Sequence, residues 1–394
     1  MDKHLRAIGG AEAVLNFEPE SSMSVAYHPD FASHDELLLL ELDEKFLPDV
    51  LCERVSLRGD PDEEAVLCTK SKTYAVKFVG TSNSVFLIPP SKSSPLADSL
   101  MDCDEKDTDQ PASGSVLKVA AGNLEILEVA PRLDKLKMFL SQNPYTFEEA
   151  SEMEMTSEIK EGLYTWNDLI GRIQASDVEL RLGLEALDAV EINGYWRLVD
   201  SKYMDSILTM LLHNAVLNDW PLNALPKNEL VNALKSDGFP PVVAGHCLRV
   251  YGNKVDAGSD DGSFWKLDER RVCGHFAKQI LKAGKMRMEK FMEEWRCKIP
   301  HGMQANFDML EGEVLTERIG LETLVRAFSI SSLPSKPAER FSILFTERPK
   351  WEWKDLEPYI RDLKVPGLSS EGLLLKYTRR SQPTPNAEPI FSAR

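Results

Sequence analysis

His246-Cys247 and Cys273-x-His275 bring four nitrogen and sulfur donors into one stretch of the chain, the donor types that hold tetrahedral zinc. Their spacing departs from the paired Cys-x-x-Cys pattern of structural zinc sites, and Cys273 falls between apolar helical positions. Buried thiols beside a helix-surface histidine account for them better, because free cysteine is among the most buried residue types. Asp256-Ala-Gly-Ser-Asp260-Asp261-Gly offers the carboxylates of a calcium loop. Asp261, however, stands where that loop turns on glycine, and Leu267 stands where it needs a bidentate glutamate. A solvated loop is expected there. Phosphate-binding, dinucleotide-binding, zinc-protease and nucleophile-elbow patterns are all missing from the chain. These residues point to no metal, no cofactor and no enzyme, and leave function to surfaces.

Charge is the next candidate chemistry. The net charge of −17 over 394 residues argues against a surface that coats nucleic acid. The distribution is uneven, with ten Lys or Arg against five Asp or Glu between Lys266 and Lys298. Lys354, Arg361, Lys364, Lys376, Arg379 and Arg380 lie on or beside the last two expected helices. They are the candidate DNA contacts, suited to phosphates and carrying no base-reading code. Further upstream, the polar positions of one helix are Asp177, Glu179, Arg181, Glu185 and Asp188. Phosphates would be repelled there, so that helix suits a protein partner.

The elements that must position these groups are legible from capping and periodicity. Thr165 with Asp168, and Ser176 with Glu179, each have the spacing of a capping box. Trp166, Leu169, Ile170 and Ile173 form one apolar stripe. Asn193-Gly194 then joins Val190–Ile192 to Tyr195–Arg197, the strongest short hairpin signal. Helix, helix, hairpin is the outline of a winged helix, and two further units follow. The expected domains are winged helices over 131–218, 219–285 and 286–380. The second uses a helix from Pro241, the strand Phe264–Leu267 and a helix from Asp268. The third uses helices over 288–297, 338–345, 353–363 and 370–377. Upstream, 35–130 reads as a β domain, with separate strands over 74–78 and 85–88. A hairpin turning at Gly122-Asn123 closes it. Residues 1–34 read as a flexible lead-in, 91–113 as a disordered insertion and 381–394 as a disordered tail. No apolar run is long enough to span a bilayer, and scattered cysteines suit a reducing compartment.

Ser56-Leu-Arg-Gly-Asp-Pro-Asp-Glu-Glu-Ala-Val-Leu-Cys-Thr-Lys-Ser-Lys-Thr-Tyr74 and Thr81-Ser-Asn83 resemble the signature of the defective-in-sister-chromatid-cohesion protein family. Ile173-Gln-Ala-Ser176, Ile192-Asn-Gly-Tyr-Trp-Arg197, Glu339-Arg-Phe341 and Pro358-Tyr-Ile-Arg-Asp-Leu363 are similar to it as well. The resemblance implies an α+β chain: an N-terminal β half-barrel completed by partner chains, then three tandem winged helices. It implies a non-catalytic, nuclear subunit of an alternative clamp loader acting on PCNA at replication forks. The implied partners are the large and small subunits of the chromosome-transmission-fidelity clamp loader, DNA polymerase epsilon, and single- and double-stranded DNA, with PCNA reached indirectly. Leu38, Leu40, Val66, Tyr74 and Phe86 are the candidate partner contacts of the β domain. Glu179, Glu185 and Trp196 are those of the first winged unit. The alternative is a stand-alone nuclear winged-helix regulator that binds duplex DNA by itself.

Overall fold

The computed structural model describes residues 23–31, 33, 36–52, 55–88, 112–151, 162–255, 264–363, 365–382, 384 and 387–394. It is a mixed α+β chain that divides into two units. Residues 1–52 and 75–127 make unit 1, and residues 53–74 and 128–394 make unit 2. Residues 256–263, where a solvated loop is expected, Lys364 and residues 89–111 lie outside the described part.

The elements before residue 130 are β1 (Met23–Tyr27), α1 (Leu47–Cys52), β2 (Ser56–Arg58), β3 (Val66–Cys68), β4 (Thr73–Leu87), β5 (Ala112–Val116) and β6 (Lys118–Val129). In unit 1, β1 pairs in parallel with β5, and the body of β4 lies beside β6. β4 runs for 15 residues without a break, so the turn expected at Ser82-Asn83-Ser84 is continuous strand. β6 likewise runs straight through Gly122-Asn123, where a hairpin was expected. Gly122 is there for closeness, not for turning. A Cβ on it would sit 2.2 Å from the Val79 carbonyl oxygen and 2.9 Å from the Gly80 Cα, a gap that only glycine fits. Ala112 and Ser113, expected in a disordered insertion, open β5.

Unit 2 repeats one passage of chain: helix, short strand, two helical turns or helices, then two strands. The first passage comprises α2 (Asp134–Gln142), a bridge at Tyr164, α4 (Trp166–Arg172), α5 (Asp177–Ala186), β7 (Val190–Ile192) and β8 (Tyr195–Arg197); α3 (Phe147–Ser151) is inserted after α2. The second comprises α6 (Ser201–Leu217), β9 (Leu225–Pro226), α7 (Lys227–Ser236), α8 (Pro241–Tyr251), β10 (Gly252–Val255) and β11 (Phe264–Leu267). The third comprises α9 (Glu269–Leu281), β12 (Met286–Arg287), α10 (Met288–Lys298), a 3₁₀ turn at Phe307–Leu310, β13 (Val314–Ile319) and β14 (Glu322–Ala327). The fourth comprises α11 (Pro337–Glu347), β15 (Lys350–Glu352), α12 (Trp353–Leu356), α13 (Ser370–Tyr377), β16 (Thr378–Ser381) and β17 (Ile390–Ala393). The last strand is central in each small sheet, giving β10-β11-β9, β12-β14-β13 and β15-β17-β16. The Tyr164–Trp196 bridge beside the β7–β8 pair repeats that order in the first passage.

Local chemistry explains the helices. Both capping boxes form, Thr165 with Asp168 and Ser176 with Glu179, each tying down two orphan amides. Asn193 and Gly194 adopt positive φ of 52° and 83°, as a two-residue hairpin turn demands. Each passage buries its own apolar stripes. Ile207, Leu208, Leu211, Leu230, Val243 and Leu248 pack together in the second, and Cys273, Ile280, Phe291, Trp295 and Val325 in the third. Trp295 and Trp351 are fully buried, and their indole N–H groups donate to the carbonyls of Cys273 (2.8 Å) and Leu344 (3.0 Å).

Two expectations are corrected in this half, and α9 is shared between two passages: its Val272 packs with the second, while Cys273, Ile280 and Leu281 pack with Phe291 and Trp295 of the third. The helix expected over 353–363 ends at Leu356 and tightens to a 3₁₀ turn at Glu357–Tyr359, because Pro358 has no N–H for an α-helical bond. Residues 390–393, expected in a disordered tail, form the central strand of the fourth sheet and bury Phe391.

Candidate partner and nucleic-acid surfaces

Unit 1 carries apolar side chains that stand exposed among its described residues. Among its described residues, Val116 is the apolar side chain that reaches full burial. Tyr27 is 69% exposed, Leu38 65% and Phe86 50%. Strand alternation puts Phe78 and Phe86 on one face of β4 and exposed Val79 and Val85 on the other. Leu40 is half-buried and bridges Leu124. Val66 and Tyr74, expected as partner contacts, are instead 1% and 0% exposed and belong to unit 2. They are core residues of that unit.

The segment from Ser56 to Tyr74 is fastened by an arginine that sequence reading passed over. Arg58 is buried, donates to the Ala175 carbonyl and pairs with Asp177 at the start of α5. Thr73 donates to Glu179 at 2.6 Å, and the Ser176 amide donates to Thr73 at 2.9 Å. The Glu179 carboxylate is thus already used inside the chain. Glu185 is exposed on the same helix, as are Val178 and Leu182. Trp196 is half-buried with its ring centroid 6.4 Å from that of Trp166, whose face carries the Arg181 guanidinium at 4.3 Å. α5 therefore presents a mixed apolar and acidic face, with Trp196 in its support.

Of the six candidate DNA contacts, Lys364 lies outside the described residues and the other five separate into two sets. Lys354 pairs with Glu352 at 3.0 Å, and that carboxylate holds the ammonium above its ordinary range. Arg361 reaches Glu357 at 3.2 Å and Glu311 at 3.4 Å. Their charge is largely spent. Lys376, Arg379 and Arg380 are exposed with no carboxylate beside them among the described residues, Lys376 at the end of α13 and Arg379 and Arg380 at neighbouring positions of β16, on its opposite faces. Arg394, which sequence reading did not single out, joins this set. It is exposed and its guanidinium donates to the Leu375 carbonyl at 2.7 Å. Its signal was available only through the β16–β17 pairing.

The histidine and cysteine donors do not converge. No group of three or more metal-competent side chains comes together among the described residues. Cys247 and Cys273 are fully buried thiols whose ionisation burial disfavours. His246 is 3% exposed, and burial depresses it to about 4, so it stays neutral. His275 is not on the helix surface as expected. Its Nε2 lies 3.1 Å from Asp205 Oδ1, and its Nδ1 lies 2.8 Å from the Tyr251 hydroxyl. Burial pushes its affinity for a proton down. The neutral ring with Nε2–H toward Asp205 and Tyr251 donating to Nδ1 satisfies these two partners, while the Gln279 amide nitrogen beside Nε2 donates to the same Asp205 oxygen. An Asp–His–Tyr chain of this kind could serve acid–base chemistry, but here it joins α6, α8 and α9.

Comparison with known proteins agrees with the sequence resemblance. The family model described as "Sister chromatid cohesion protein Dcc1" matches residues 37–360. A sister chromatid cohesion protein DCC1 of Danio rerio is 31% identical over 96% of this chain and 95% of its own length. Counterparts in Mus musculus (32%, 89% of this chain and 86% of theirs) and Xenopus tropicalis (33%, 91% and 89%) are similar to it as well. The matched names describe a cohesion role and no catalytic activity. By the span of the family model and the identity across nearly the full length, the chain belongs to the Dcc1 family of sister chromatid cohesion proteins.

Proposed function

We propose that this chain is a non-catalytic nuclear subunit of an alternative clamp loader that acts on PCNA at replication forks and so supports cohesion. In this reading the repeated passages of unit 2 are winged-helix modules. Unit 1 is a β half-barrel completed by the large and small loader subunits. The observation that carries the reading is the pair of exposed apolar faces on β4, in a unit whose described residues bury almost no core. Strands in that condition gain most by pairing with, or being covered by, another chain. The mixed apolar and acidic face of α5 suits DNA polymerase epsilon, and the unpaired cations of the fourth passage suit phosphates, in single or double strands.

Affinity purification of the tagged full chain from nuclear extract tests this directly. Loader subunits and polymerase epsilon are expected in the eluate, and their absence would overturn the reading. In the same assay, Lys376→Ala with Arg379→Ala and Arg380→Ala should keep the loader subunits. That triple variant should weaken DNA binding and flatten its salt dependence by about two to three units of log–log slope. Lys354→Ala with Arg361→Ala should change both far less, because those charges are already met by carboxylates.

A further inference from the structure

The connection between α4 and α5 is buried. Ile173, Gln174, Ala175 and Ser176 are each no more than 2% exposed, although a connection of this kind ordinarily runs over the surface, where water meets its backbone groups. The second passage keeps to that rule: between α7 and α8, Asp237 and Gly238 are exposed. A buried connection must find its hydrogen bonds inside the protein, and Ser56–Tyr74 supplies them at three points. Arg58 donates to the Ala175 carbonyl, Thr73 Oγ1 accepts from the Ser176 amide at 2.9 Å, and Gln174 Nε2 donates to the Glu64 carbonyl at 2.7 Å. The first turn of α5 is held from the same segment. The Val178 amide, an orphan donor of the helix start, donates to the Lys70 carbonyl at 3.1 Å. Arg58 also pairs with Asp177, and Thr73 donates to Glu179 at 2.6 Å.

We infer that Arg58 and Thr73 are positioning residues for the outer face of α5, where Val178 and Leu182 are 39% and 58% exposed beside exposed Glu185. The inference rests on the reading of that face as a polymerase contact and adds what aims it. Four residues join α4 to α5, and their torsions decide the direction in which α5 leaves. Arg58 fixes the carbonyl at Ala175 and Thr73 fixes the amide at Ser176, so the direction is set by a segment that lies outside the first passage. The apolar core beneath α5 is a separate matter. Leu180 and Leu184 pack with Leu136, Leu140 and Leu169, and among the described residues none from Ser56–Tyr74 joins that cluster. Loss of Arg58 or Thr73 therefore frees the start of α5 and leaves the core of the passage standing.

Amide hydrogen exchange of the full chain, read by mass spectrometry, tests the joint directly. Thr73→Val keeps the branched shape and the strand preference of Thr73 and deletes its hydroxyl. It should speed exchange over 174–180 by about tenfold, with α2 and the other three passages changed by less than about twofold. Thr73→Ser, which keeps the hydroxyl, should retain the original rate. Unchanged exchange over 174–180 would overturn the inference. So would loosening across all four passages, which would make the hydroxyl a general stabiliser. Recovery of polymerase epsilon from nuclear extract by the tagged full chain then reads the consequence. Arg58→Met with Thr73→Val should lower it at least about threefold, because only molecules with α5 in place can bind, while loader subunits are recovered as before. If Val178→Asp with Leu182→Asp abolishes polymerase recovery and the Arg58 and Thr73 pair leaves it intact, positioning fails and the reading of α5 stands. If the α5 face variant leaves recovery intact, that reading fails and the inference falls with it.

Discussion

Unit 1 and unit 2 solve the problem of apolar surface in opposite ways. Unit 2 builds cores of its own: Leu136, Leu169, Ile207, Leu230, Trp295 and Trp351 are all fully buried, though side chains such as Leu182, Val216 and Leu375 stay exposed. Unit 1 spends its residues on long strands and leaves Tyr27, Leu38, Phe78 and Phe86 in solvent. Apolar burial is worth roughly 25 cal/mol for each Å² withheld from water. A unit that forgoes that gain internally keeps it in reserve for association. The contrast teaches that stability and assembly are assigned to different stretches of one chain. The division is not where composition suggested: the boundary falls within β4, between Tyr74 and Ala75, and Ser56–Tyr74 packs with unit 2.

The largest effect expected on this contrast is at Trp295. Trp295→Ala removes a buried ring and leaves the Cys273 carbonyl without its donor, so unfolding of the purified chain in urea should lose about 3–5 kcal/mol. A loss below about 1 kcal/mol would mean that unit 2 does not hold itself together. A smaller effect is expected from pH. His246 falls from 6.5 to about 4 on folding, so the unfolded chain binds the extra proton. Stability from this group is complete above about 6.5 and is lost as pH falls toward 4, by something on the order of 3 kcal/mol. His275 shifts in the same direction. His246→Gln should flatten the acid limb of a thermal-melting profile, and an unchanged limb would remove this histidine from the account. The smallest effect on the free chain is expected in unit 1. Leu38→Asp and Phe86→Asp should alter its unfolding free energy by no more than about 0.5 kcal/mol, while abolishing recovery of loader subunits from extract. A large loss of intrinsic stability would show that these side chains already have a core, and the contrast would break.

Much of unit 2 was legible because its signals are local. The capping boxes at Thr165 and Ser176, the Asn193-Gly194 turn, and the extent of α13 over Ser370–Tyr377 follow from residues three or four apart. What escaped reading depends on distant partners. β17 is four residues long and becomes a strand only because β15 and β16 accept it from both sides. The continuity of β4 through Ser82-Asn83-Ser84 overrides turn chemistry that would hold in isolation. Of the candidate sites, the distinction between spent and free cations was invisible, since Arg361 meets Glu311 across 50 positions. The roles of Val66 and Tyr74 were misjudged for the same reason: β-rich composition shows that a residue is apolar, but not which neighbour covers it.

The position of β17 has a consequence for lesions in this chain. Loss of Ile390–Ala393 would strip the hydrogen-bonding partner from both β15 and β16 in one stroke. Two orphaned backbone edges would result, and the already exposed Trp353 would lose its ring contact with Phe391, the condition in which strands recruit strands from other molecules. A frameshift or proteolytic nick just past Ser381 should therefore yield a sticky, aggregation-prone product and not a slightly shortened one.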